Sequence, residues 1–125
     1  MTTVDTQYIR LELLESGILI ARYKRQTKFT LPMARDVVRT RLEFVGHEPR
    51  PVLVANLGVV EMDKEARRYV SSGDGVRGIK ASAILTDSLA TYFIMSFILG
   101  FYRLPFPTRE FTREEAALEW LSTFL

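Results

Sequence analysis

The sequence predicts an α/β domain in which a β-hairpin is followed by alternating helices and strands, ββαβαβαβα, with helices packed on a mostly parallel sheet. Three observations carry this. The stretch YIRLELLE alternates with period two and meets a second strand-like run across Ser16-Gly17. Helical and extended periods then alternate to the end of the chain. One strand-length run, PVLVANLG, is apolar at almost every position, as in a strand buried on both faces. The 125 residues fit a single domain over 1–125, long enough to bury about two-thirds of its unfolded surface.

Each element has its own local reason. Ile9, Leu11 and Leu13 share one side of the first strand, with Arg10 and Glu12 on the other. ILIARYK forms the second strand of the hairpin. In LPMARDVVRTRLEFVG the period lengthens: Ala34, Val37, Val38, Leu42 and Val45 share a helical face, and Gly46 suits the stop. PVLVANLG is the central strand, and Asn56 at its end serves a turn or a helix terminus, with contact to a ligand as the lesser alternative. DKEARRYVSS reads as a short helix ended by Gly73, and KASAILT as the next strand. Asp87 or Ser88 caps a helix over 88–102, which Pro105 and Pro107 forbid from continuing. TREF is a brief strand. Thr112 and Glu115 then have the spacing of a capping box, with Phe111 placed as a hydrophobic staple, and the last helix buries Ala117, Leu118, Leu121 and Phe124. Residues 1–7, MTTVDTQ, lack a basic region followed by an apolar one, so they read as a loose tail rather than a signal peptide.

Composition narrows the function. A hydrophobic share of 47% with 26% charged residues is that of a globular domain. There is no cysteine, which removes disulfides and thiolate metal sites and is compatible with a cytoplasmic protein. The net charge is only +2, although the isoelectric point is near 9.1. Basic residues gather in RYKRQTK (22–28) and at Arg67 and Arg68, but acidic residues are interspersed elsewhere, so nucleic acid is not the expected partner.

Gly73, Gly75 and Gly78 have the spacing G-x-G-x-x-G. A dinucleotide fingerprint needs a strand before the first glycine and a helix after the loop, so that phosphate meets the helix amino terminus. Here a helix precedes and a strand follows. The glycines therefore end a helix and permit a turn. His47 is the sole histidine, in a loop, with neither a triad nor a ligand set around it. The carboxylates Glu114-Glu115 are explained by a helix start, and Glu61 with Asp63 flanks a turn. No catalytic residue, cofactor or metal is expected, and the chain reads as a non-enzyme.

The segment 88–102 is apolar around almost its whole circumference, yet Asp87 and Arg103 bracket it too tightly for the about 18 apolar residues of a membrane span. Its outer face needs a cover. The leading expectation is a homodimer interface through Leu89, Tyr92, Phe93, Ser96, Phe97 and Phe101. The alternatives are a groove for an apolar ligand or lipid, docking at a membrane surface, and complete burial within the monomer.

The element order and the stretch PVLVANLGVVEMDKEARRYV resemble the SpoIIAA-like fold, the STAS domains of anti-sigma-factor antagonists. In that family an apolar strand leads to Met-Asp-Ser at a helix start. A partner kinase phosphorylates the serine, and the phosphate selects the protein bound. Here Met62-Asp63 is followed by Lys64, and no Ser or Thr occurs from Arg41 to Val70. Lysine accepts no phosphate by serine chemistry and puts a positive charge where the phosphate would put about two negative ones. Asp87-Ser88 is a second strand-to-helix junction, this one with an Asp-Ser pair, but it comes one strand too late for that switch and is explained as an N-cap. The carboxyl-terminal stretch LPFPTREFTREEAALEWL is similar to the ending of small uncharacterised bacterial proteins of this fold. The resemblance implies a non-enzymatic protein-interaction or regulatory module without the usual serine, whose partner-binding edge holds Asp63, Lys64, Arg67 and Arg68. The competing reading of those four residues is the polar side of a short amphipathic helix. The alternative function is a small apolar ligand- or lipid-binding domain.

Overall fold

The computed structural model describes residues 2–55, 59–86 and 104–125, with backbone alone at 26–27 and 59–61. The predicted helix over 88–102 and Asn56 lie outside the described residues. The strands are β1 (Thr3–Asp5), β2 (Ile9–Leu13), β3 (Leu19–Tyr23), β4 (Gln26–Phe29), β5 (Arg50–Ala55), β6 (Val59–Met62), β7 (Ile79–Leu85) and β8 (Thr108–Phe111). The helices are α1 (Leu31–Val45), α2 (Lys64–Val70) and α3 (Glu114–Ser122). Six strands form one sheet in the order β1-β2-β3-β5-β7-β8, and β4 pairs with β6 in a separate parallel ribbon. The pairs β1–β2 and β2–β3 are antiparallel, whereas β3–β5, β5–β7 and β7–β8 are parallel. The predicted class therefore holds.

The central strand behaves as its composition demands. Side chains alternate across a strand, so Val52 joins the core under α1 and α2 while Leu53 and Ala55 join the core under α3. The flanking strands divide in the same way. Leu19 and Ala21 of β3 pack with Ala34, Val37 and Ala66, and Ile20 packs with Ala81, Ala83, Ala117 and Leu121. In α1, Ala34, Val37 and Val38 are buried as the period predicts, and Gly46 closes the helix with its N–H on the Leu42 carbonyl at 2.8 Å.

Several expectations need correction. Residues 1–7 are not a loose tail throughout, because Thr3, Val4 and Asp5 pair with Glu12, Leu11 and Arg10 at the sheet edge. Val4 packs against the core, and a short tail with one inward apolar residue can extend a sheet by main-chain bonding alone. The β4–β6 ribbon is also additional. Its strands follow β3 and β5 in the chain, and β4 lies largely within the basic stretch 22–28, although Phe29 is fully buried against Tyr23. The helix of DKEARRYVSS is shorter than predicted. It ends at Val70 with Ser71 as its C-cap, and Gly73 opens a 3-10 turn, Gly73–Gly75, instead of terminating α2.

The capping box at the last helix does not form. The N-cap position is Arg113, not Thr112, and no side chain caps the first turn. Glu114 instead meets Arg22 of β3 in a two-pronged pair at 2.8 and 3.1 Å, tying the start of α3 to the sheet. Both side chains are more than a third exposed, so the pair is of the solvent-screened kind. Hydrogen bonding to Arg22 holds the Glu114 carboxyl below its ordinary value of 4.5. A depressed carboxylate stabilises the fold above its unfolded pKa and loses that contribution as pH falls through the folded one. Glu114→Gln is therefore expected to cost about 0.5–1 kcal/mol at pH 7. The gap between thermal melts of the two proteins should narrow as pH falls below 4.5, and a gap that stays equal on acidification would refute the role.

Candidate functional site

The residues that the resemblance singled out are assembled around α2. β6 ends at Met62, and the Asp63 N–H donates to the Phe29 carbonyl at 3.0 Å, fastening the start of α2 to the end of β4. Asp63 occupies the N-cap position, but its carboxylate makes no cap bond. It faces Lys28 of β4 at 3.4 Å instead. Ala66 is fully buried, and Tyr69 and Val70 pack on the same core, so α2 is anchored by one side. Lys64, Glu65 and Arg68 are exposed, and Arg67 is half-buried with its Nε buried and without a hydrogen-bond partner. Lys64 and Arg68 stand one helical turn apart and so share a face. Asp63, Lys64, Arg67 and Arg68 thus form one charged edge, and Lys28 is an additional member that sequence spacing could not place there.

The basic stretch 22–28 is largely consumed inside the fold. Arg22 holds Glu114, Lys24 pairs with Asp5, and Lys28 meets Asp63. The predicted apolar set, Leu89, Tyr92, Phe93, Ser96, Phe97 and Phe101, lies outside the described residues.

The glycine turn is built to receive a cation. The guanidinium of Arg41, buried on α1, donates to the carbonyls of Arg77 at 2.7 Å, Asp74 at 3.1 Å and Gly75 at 3.2 Å. A phosphate cradle turns N–H groups inward. This turn points carbonyl oxygens at a positive charge, the opposite polarity, which agrees with the element order in excluding a nucleotide loop. Desolvation by burial holds the Arg41 pKa below its ordinary value.

A shallow groove of about 220 Å³ runs beside this turn, between Val38, Arg39, Leu42 and Glu43 of α1 and Tyr69 of α2, with His47 and Asp74 at its rim. His47 is exposed, as expected for a loop histidine. Among the described residues no group of three metal-ligating side chains comes together. No helix of the described residues is long and apolar enough to cross a membrane.

The chain is similar to the crystal structure of an uncharacterized protein of the DUF3478 family with a SpoIIAA-like fold from Shewanella loihica PV-4. The TM-score is 0.65 at 15% identity, covering 94% of this chain and 98% of that one. The chain therefore has a SpoIIAA-like fold. A protein with unknown function from Arthrobacter sp. FB24 is 27% identical over 96% of this chain and 97% of its own, with a TM-score of 0.35. No curated protein matches the chain significantly. Residues 12–125 match the model of a domain of unknown function, DUF7793, and the chain belongs to that family.

Proposed function

We propose that this chain is a non-enzymatic interaction module of the cytoplasm, a STAS-like regulator that works without the phosphorylatable serine. The observation that carries the reading is the α2 edge. Within a SpoIIAA-like fold, an anchored short helix directly after Met62-Asp63 presents Lys64 and Arg68 to solvent. Such an edge binds by complementarity and needs no chemistry of its own. With lysine in place of the switch serine, binding is constitutive at this position and is set by partner concentration. A photo-crosslinking residue installed at position 68 is expected to capture a partner in cells. The same residue at Arg35, exposed on α1, should not. Equal capture at both positions would sink the edge assignment.

The second part of the proposal is a homodimer through the apolar segment 88–102. Its support is the sequence alone, because an apolar circumference bracketed by Asp87 and Arg103 needs a cover, and a second copy supplies one. Native mass spectrometry is expected to show twice 14.4 kDa for the wild type and a folded monomer for Phe93→Glu or Phe97→Glu. A variant that remains a folded dimer would refute the interface. An extra mass of a few hundred daltons per chain would point instead to a bound apolar ligand.

A further inference from the structure

Most cations of the described residues are already answered within the fold. Arg10 and Lys24 pair with Asp5, Arg22 with Glu114, Arg39 with Asp36, Arg77 with Asp74 and Arg113 with Glu115. Arg41 and Arg50 donate to backbone carbonyls. Arg25, Arg35, Lys80 and Arg109 also lack a carboxylate partner among the described side chains, but each stands singly, whereas α2 gathers three such cations. Lys64, Arg67 and Arg68 lie within five residues, and none has a carboxylate within 4.0 Å among the described side chains. Arg67 adds an unmet donor, since its buried Nε has no hydrogen-bond partner. Guanidinium groups bind carboxylates through paired N–H donors, so an external carboxylate that drew the Arg67 head outward would satisfy that donor as well.

We infer that the α2 edge recognises an acidic protein segment, one whose Asp or Glu side chains meet Lys64, Arg67 and Arg68. This rests on the assignment of α2 as the partner edge and adds the chemistry of the partner. The pattern favours carboxylates carried on a peptide over a nucleic acid. Asp63 and Glu65 are interleaved with the cations and would repel an evenly charged phosphate backbone, whereas acidic side chains spaced along a segment avoid them. The edge is also short. A seven-residue helix spans about 10 Å, enough for a few carboxylates but too little for the many phosphate contacts that sustain nucleic-acid binding in salt.

The test uses the full chain and fluorescence anisotropy with three labelled probes. They are a 12-residue peptide of alternating Glu and Ala, its Gln counterpart, and a 12-nucleotide single-stranded DNA. The Glu peptide is expected to bind in low salt and the Gln peptide not to bind. Lys64→Glu/Arg68→Glu should weaken the Glu peptide about tenfold. Lys80→Glu, an exposed charge reversal on β7, should change it less than about twofold. Both variants alter exposed side chains, and circular dichroism verifies that they fold. Absence of Glu-peptide binding, or equal losses in the two variants, overturns the inference. DNA binding tighter than the peptide overturns it in favour of nucleic acid. If the peptide fails while position 68 still crosslinks a partner, the edge stands and only the acidic class falls. If both fail, the edge assignment falls too.

Discussion

Gly75→Ala is expected to destabilise the protein by about 3 kcal/mol and to loosen the α2 edge before the rest of the molecule. A Cβ at position 75 would overlap the backbone carbonyl of Tyr69 and lie 2.6 Å from the Val70 Cα. Both obstacles are main chain at the end of a helix, so neither can rotate aside as a side-chain tip would. Relief requires the 3-10 turn to move off α2, and the Gly75 carbonyl then leaves Arg41. Urea denaturation of wild type and variant measures the loss, and hydrogen exchange locates it. A variant within about 0.5 kcal/mol of wild type would show that the turn yields cheaply. Gly73→Ala makes a useful contrast. Its φ is +51°, but open space surrounds the added methyl group, so only backbone strain of about 1 kcal/mol is expected.

The contrast between these glycines explains how much of the molecule could be read in advance. Rules of period and burial are local, and they served wherever a residue's role depends on its own element. Val52, Leu53 and Ala55 announce a strand buried on both sides because no polar residue interrupts them, and the two cores fall on its two faces. The α1 face from Ala34 to Val38 follows for the same reason. The misses are pairings over long separations. Glu114 has the look of a helix-start carboxylate until Arg22, 92 residues away, is brought beside it. The strand β4 looks like a basic cluster because Arg25 adjoins it and Lys28 lies in it, and its burial of Phe29 depends on a pairing with β6, itself short.

The candidate edge was legible in part. The pattern of DKEARRYVSS and the Met62-Asp63 match located α2, and the structure shows that Ala66 marks the side it buries. Lys28 could not be placed there, since its proximity to Asp63 depends on the β4–β6 register. Arg41 was the larger omission. In the sequence it is one more charged residue on a helix whose other arginines are solvated, and an expectation of solvent exposure is the natural default. Only the return of residues 74–77 to α1 supplies the acceptors that allow a guanidinium to be buried.

Arg41→Ala is accordingly expected to cost about 3 kcal/mol, with its damage concentrated in the turn that supports α2. The side chain is 6% exposed and bridges α1 to three carbonyls that no neighbouring side chain replaces among the described residues. Burying the cation is itself costly, and desolvation lowers its pKa, so the net loss is smaller than three charged hydrogen bonds taken singly. The phenol of Tyr23, pushed up to about 12 by burial, stays neutral at working pH and offers Arg41 no compensating charge. Two further variants separate hydrogen bonding from volume. Arg41→Met keeps most of the bulk but leaves the carbonyls unanswered, and it should resemble Arg41→Ala more than wild type. Arg41→Lys keeps the charge but lacks the planar fork, and it should recover about half of the loss. Combining Arg41→Ala with Gly75→Ala should cost clearly less than the sum of the two, because each alone detaches the same turn. Additive losses in urea denaturation would show that the guanidinium and the glycine act on different parts of the structure, and the turn would lose its assigned role as the support of α2.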